Sequence, residues 1–149
     1  MRAVIQRVDR AGVIINHEEF SSIKAGIVVL LGIEREDTKT GADYILEKSI
    51  NLRIFEDDEG KMNRSLLDID GEMLVISQFT LLGDCIKGRR PSFIRAEEPR
   101  KANELYEYFV LEARKKIKYL ATGKFQEMMR IELVNNGPVT ILLDSRKSI

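Results

Sequence analysis

The chain has 149 residues, 44% of them hydrophobic and 32% charged, with 24 basic and 24 acidic side chains that cancel to a formal net charge of zero. That length suits one globular domain burying roughly two thirds of its unfolded surface without a staple or a metal, and no apolar run approaches the ~20 residues needed to cross a bilayer, which excludes a membrane-spanning protein. Zero net charge excludes whole-molecule attraction to phosphate, and a single cysteine, Cys85, excludes an internal disulfide or a thiol-rich metal cage and fits a reducing, cytoplasmic compartment.

From the N-terminus, which lacks the apolar core of a signal peptide, two strands are expected over Arg2–Arg10 and Val13–Asn16. A polar turn, Asn16-His17-Glu18-Glu19, then leads to a third from Phe20 to Ile23. Ile27-Val28-Val29-Leu30-Leu31-Gly32-Ile33 is a continuous aliphatic run, the pattern of a central strand covered on both faces. After Asp37-Thr38, candidate N-caps, the positions Ala42, Ile45, Leu46, Ser49 and Ile50 recur at helical spacing and predict a helix from about Thr38 to Asn51. Arg53–Phe55 and Glu72–Leu81 read as strands joined through the turns Asp57-Asp58-Glu59-Gly60 and Asp68-Ile69-Asp70-Gly71. Beyond Pro99, Ala102, Leu105, Tyr106, Phe109, Val110, Ala113 and Ile117 form one apolar stripe, a second long helix. Met129–Val134 and Val139–Asp144 close the chain as two strands split by Asn135-Asn136-Gly137-Pro138. With no repeat and no linker, residues 1–149 read as one α+β domain: a mixed, strongly curved, barrel-like sheet with two long helices packed against it.

The sole histidine, His17, falls in an exposed-looking turn, so a Ser-His-Asp or Cys-His machine is not expected. The acidic turns lack the ligand spacing of a calcium loop, and no His/Cys cluster suggests zinc, so neither metal nor cofactor is expected. Two segments resist a bland reading. In Ser77-Gln78-Phe79-Thr80-Leu81 an apolar strand runs into hydroxyls, an amide and an aromatic ring; this is a half-buried strand with satisfied hydroxyls, or a strand end facing a cleft. In Asn135-Asn136-Gly137-Pro138-Val139-Thr140 a glycine and a proline demand a turn or bulge between strands. Two basic patches, Lys87-Gly88-Arg89-Arg90 and Arg114-Lys115-Lys116 with Lys118, are solvated faces or local phosphate contacts.

Together with Met1–Val8, Asn51–Asp57, Gly60–Asn63 and Lys87–Phe93, these two segments resemble the D-aminoacyl-tRNA deacylases, also called D-tyrosyl-tRNA deacylases, in order and spacing over essentially Met1 to Asp144. The resemblance implies hydrolysis of the ester joining a D-amino acid to the 3′ end of tRNA, with activity on glycyl esters mischarged on tRNA-Ala. It implies a homodimer in which a cis Gly137-Pro138 peptide of one subunit enters the other's pocket and crowds out L side chains. Ser77, Gln78, Phe79 and Thr80 would form the opposite wall, Phe79 against the terminal adenosine and the Thr80 N–H toward the developing oxyanion. Arg7 would hold the Gly-Pro loop through its carbonyls or sit in an ion pair, and Met129 would line the pocket or the core. Lys87, Arg89 and Arg90 would meet tRNA phosphates. Leu82 and Cys85 depart from the family pattern and are expected to alter the outer edge of the acceptor-stem site. The competing readings are a non-catalytic module that binds the tRNA 3′ end and a hydrolase of other small acyl esters.

Overall fold

The computed structural model describes residues 1–149. Its elements run β1 (Arg2–Ile15), β2 (Glu18–Ile23), β3 (Gly26–Gly32), α1 (Lys39–Asn51), β4 (Phe55–Glu56), β5 (Met62–Arg64), β6 (Glu72–Ser77), a 3-10 turn (Phe79–Leu82), α2 (Pro99–Arg114), β7 (Leu120–Thr122) and β8 (Arg130–Asp144). The main sheet has the order β2-β1-β3-β6-β7 with β8 also paired to β1; β1 is antiparallel to β2, β3 and β8, while β6 is parallel to β3 and β7. The Ser21 hydroxyl donates to the Thr122 carbonyl at 2.6 Å, linking β2 to β7 and nearly closing the sheet into a barrel. The expected mixed, curved sheet with two helices is thus present.

Strand alternation explains the layering. On β3, Ile27, Val29 and Leu31 face the helices, while Val28 faces the barrel interior; on β6, Met73 and Val75 go with the first set, Leu74 and Ile76 with the second. Side chains of period two therefore feed two cores at once, which is why these strands read as unbroken apolar runs. Both helices lay their apolar stripes on the outer core: Ala42, Ile45, Leu46, Ser49 and Ile50 of α1 are buried, as are Tyr106, Phe109, Val110 and Ala113 of α2. Pro99 occupies the first turn of α2, and the Glu98 carboxylate accepts the N–H groups of Arg100 and Lys101 at 3.2 and 3.0 Å. Thr38 sits at the start of α1 without a side-chain cap; Asp37 instead accepts the Glu34 N–H at 2.7 Å.

Several boundaries differ from expectation. β1 is one strand of fourteen residues, because β8 pairs along both of its halves while β3 and β2 share its other edge. The turn after it is only Asn16-His17, both at positive φ (51° and 65°), as a two-residue hairpin requires. The strand expected over Glu72–Leu81 stops at Ser77, and Phe79–Leu82 winds into a 3-10 turn. The Arg53–Phe55 strand shifts to Phe55–Glu56. The last two expected strands merge into β8, which carries the Asn135–Val139 segment as a bulge: between the pairs Gln6–Thr140 and Val8–Asn135, β1 advances two residues and β8 five.

Candidate active site

A cavity of about 680 Å³ opens where β3 and β6 end. The Leu31 carbonyl accepts the Gln78 N–H at 2.8 Å, which carries the β6 ladder one residue past the strand before the chain turns. Gly32 lies directly beneath that turn: a Cβ there would stand 2.6 Å from Leu82 Cδ2 and 3.0 Å from the Gln78 carbonyl oxygen. Only a residue without a side chain lets the turn settle this closely on the sheet. Leu82 is buried at 1% exposure beneath the turn, whereas Cys85 is exposed.

All four wall residues, Ser77, Gln78, Phe79 and Thr80, line this cavity, with Met129 across from them. The Gln78 amide donates to the Thr80 hydroxyl. The Phe79 and Thr80 N–H groups begin the 3-10 turn and meet no acceptor within the chain, the usual state of the first donors of a helical turn. Phe79 is 55% exposed and packs edge-to-face on Phe93, with ring centroids 5.0 Å apart. The Met129 sulfur accepts the Lys124 N–H at 3.3 Å and rests on the barrel-interior core, so this residue is both core and lining. The Tyr106 hydroxyl donates to the Val75 carbonyl at 2.8 Å and ties α2 to β6 just before the wall; burial pushes its phenol well above the ordinary range, so it stays a donor.

The remaining lining was not legible as a site: Ile33 beyond β3, Ala96, Glu97, Pro99 and Ala102 around the start of α2, and the Phe125–Met128 loop after β7. These lie far from the wall in sequence, and Glu97-Glu98-Pro99 carries only the signal of a helix start. Of the sixteen lining residues, Glu97 and Glu127 alone are charged. His17 is exposed in its hairpin, and no three His, Cys, Asp or Glu side chains converge anywhere on a metal-binding geometry.

Gly137 and Pro138 are absent from the cavity lining. They sit exposed in the β8 bulge, joined by a cis peptide, with Gly137 at φ 126°. Arg7, 7% exposed, reaches this bulge from β1: its Nε donates to the Asn136 carbonyl at 3.1 Å, Nη2 to Asn136 Oδ1 at 3.1 Å, and Nη1 to the Ile54 carbonyl at 2.5 Å. Arg7 takes part in none of the ion pairs. Asn135 Oδ1 accepts the Val139 N–H at 3.0 Å across the bulge, and Asn136 Nδ2 donates to Asp9 at 2.6 Å.

Lys87, Arg89 and Arg90 project from the exposed loop whose base is clamped by paired Asp84 and Ser92 backbones, at 2.8 and 2.9 Å, and none of the three meets a carboxylate. In the second basic patch, by contrast, Lys115 and Lys116 pair with Glu112 and Glu47, each at 2.6 Å. No helix is long and apolar enough to cross a membrane.

The family model described as D-Tyr-tRNA(Tyr) deacylase matches residues 4–144. A D-aminoacyl-tRNA deacylase of Syntrophus aciditrophicus (strain SB) is 60% identical over 147 residues, covering 99% of both chains. Among solved structures, a c-Myc DNA Unwinding Element Binding Protein superposes with a TM-score of 0.92 at 41% identity, covering 97% of this chain and 98% of that one. A probable eukaryotic D-amino acid tRNA deacylase shares the fold at a TM-score of 0.79 and 19% identity, covering 95% and 97%. With that family model spanning residues 4–144 and relatives 60% and 53% identical over 99% of its length, the chain belongs to the D-aminoacyl-tRNA deacylases, which are hydrolases.

Proposed function

We propose that this deacylase hydrolyses D-aminoacyl-tRNA in a site completed by two copies of the chain. The 3′-terminal adenosine enters the cavity against Phe79, with the ester carbonyl beside Ser77, Gln78 and Thr80. A water attacks the carbonyl carbon, the Thr80 N–H takes up the developing oxyanion, and the ester C–O bond breaks. The water's proton passes to the departing ribose oxygen, helped by the neighbouring 2′-hydroxyl, leaving a free D-amino acid and tRNA. With no histidine near Thr80, its hydroxyl is not assigned as a nucleophile. Gly137 and Pro138 of a second copy close the pocket over the α-carbon and leave no room for an L side chain. Many D-amino acids and the achiral glycyl ester on tRNA-Ala then pass, because no side chain is read. Arg7 holds the bulge, Met129 shapes the floor, and Lys87, Arg89 and Arg90 meet acceptor-stem phosphates. Residues 1–149 act as one domain, and the place of work is the cytoplasm, where tRNA is charged.

The observation that carries this reading is the separation of the two segments: the cavity is lined without Gly137 or Pro138, yet that exposed bulge is fastened by Arg7, Asn135 and Asn136. A loop this constrained and this far from its own pocket suits a neighbour's.

Co-expressing Gly137→Ala with Ala96→Trp, which fills the cavity, tests it. Each variant alone should keep about 1% of wild-type activity or less on D-tyrosyl-tRNA. Mixed dimers should regain about a quarter of wild-type sites, since half of the dimers are mixed and each has one intact pocket facing one intact loop. L-tyrosyl-tRNA should stay intact throughout. Absence of rescue would place the whole site in one chain, and loss of both esters at equal rates would remove the chiral reading.

A further inference from the structure

Resting on that reading, we infer that Phe93 is a positioning residue, which holds the Phe79 ring in place for the terminal adenosine of the substrate. Phe79 starts the 3-10 turn, and its ring is 55% exposed at the cavity. A ring exposed in this way has several rotamers open to it. Phe93 is the one aromatic ring that meets it, edge to face, with centroids 5.0 Å apart and planes at 71°. Phe93 is absent from the cavity lining, so it acts through Phe79 and not on the ligand.

The Phe93 ring is itself fixed from the turn and from its own backbone. Gly83 caps the 3-10 turn, and a Cβ there would stand 3.1 Å from Phe93 Cε1 and 3.7 Å from Cδ1. The ring therefore lies across the turn, from Phe79 at its start to Gly83 at its end. The Asp84 and Ser92 backbones, paired at 2.8 and 2.9 Å, bring the chain back beside Gly83, so Phe93 is the first residue beyond that clamp. The Phe93 carbonyl then accepts the Ala96 N–H at 3.0 Å, where the chain begins to line the cavity through Ala96, Glu97 and Pro99. The wall, the base of the loop carrying Lys87, Arg89 and Arg90, and the start of that lining thus meet at one residue. An edge-to-face contact favours the held rotamer of Phe79 by about twofold to tenfold, and a ligand that needs this rotamer binds more weakly in proportion as its population falls.

The test compares D-tyrosyl-tRNA with the same ester on a tRNA whose terminal ribose lacks its base. The wild-type protein should prefer the adenosine ester by about tenfold, the size of one contact between a base and an aromatic ring. Phe79→Ala should erase that preference. Phe93→Ala should lose about fivefold in kcat/KM on the adenosine ester, mainly through KM, and change little on the base-free ester. Phe93→Tyr, which keeps the ring, should keep the preference. Phe79→Ala combined with Phe93→Ala should lose no more than Phe79→Ala alone. Equal losses on both esters from Phe93→Ala, as a merely structural role would give, would overturn the inference, as would no loss or additive losses in the double variant. Should Phe93→Ala fail to fold, Phe93→Leu keeps bulk over Gly83 without the edge-to-face contact. About a threefold loss confined to the adenosine ester is then expected, and its absence would overturn the inference. A wild-type protein inactive on D-tyrosyl-tRNA would fell the deacylase reading as well. An active enzyme whose base preference survives Phe79→Ala would fell the inference together with the placing of adenosine against Phe79. A preference lost in Phe79→Ala but untouched in Phe93→Ala would fell the inference alone.

Discussion

The wall Ser77–Thr80 and the bulge Asn135–Pro138 are both polar interruptions of apolar strands, but they are held in different ways. The wall is shaped by packing: one backbone bond from Gln78 to Leu31, buried Leu82 beneath it, bare Gly32 under the turn, and Phe79 leaning on Phe93. Its side-chain hydrogen bonds amount to a single contact between Gln78 and Thr80. The bulge has little beneath it and is held by polar bonds from Arg7, Asn135, Asn136 and Asp9. Packing fixes a surface that its own chain encloses, whereas directional bonds are needed to fix a loop that stands in solvent. The wall should therefore forgive the loss of a hydroxyl, and the bulge should not forgive the loss of an anchor.

The largest effect is expected at Gly137. Its φ of 126° is one that L side chains rarely adopt, and a Cβ would stand 2.9 Å from Arg7 Nη2 and 3.0 Å from the Val139 backbone nitrogen. Gly137→Ala should cut deacylation of D-tyrosyl-tRNA by about 100-fold, because misplacing a positioning element by an ångström costs that much. A variant with near-normal turnover would mean that the bulge does not shape the site.

Arg7→Met comes next. It strands the carbonyls of Ile54 and Asn136 and should lower stability by about 2–4 kcal/mol in denaturant titration, with roughly tenfold lower activity. Combined with Asn136→Ala, the losses should fall short of additivity by more than about 0.5 kcal/mol, since both changes break the bond between Arg7 Nη2 and Asn136 Oδ1. Strict additivity would show that Arg7 acts through the backbone carbonyls of Ile54 and Asn136 and not through the Asn136 side chain.

Thr80→Val should do least: within about threefold of wild-type turnover and about 0.5 kcal/mol in stability, its hydroxyl being exposed and bonded only to Gln78. Complete loss of activity in single-turnover assays would make the hydroxyl a nucleophile and reverse the comparison.

Sequence patterning was enough for elements whose burial is one-sided or complete. The α1 stripe from Ala42 to Ile50, the α2 stripe from Ala102 to Ala113 and the doubly covered run Ile27–Ile33 each state their environment through residue periodicity. The Ser77–Thr80 and Gly137-Pro138 segments stood out as breaks in such patterns, and the resemblance attached chemistry to them. Periodicity did not reveal that β1 and β8 each run on through an expected break, because that follows from their pairing with each other, from Arg2 with Asp144 to Ile14 with Arg130. Nor did it show that Leu82 points inward, that Arg7 meets carbonyls and no acid, or that Glu97 borders the cavity. Those facts depend on which distant backbones lie side by side at the ends of β3 and β6. A local pattern records whether a residue is buried; the assembled sheet alone decides what it faces.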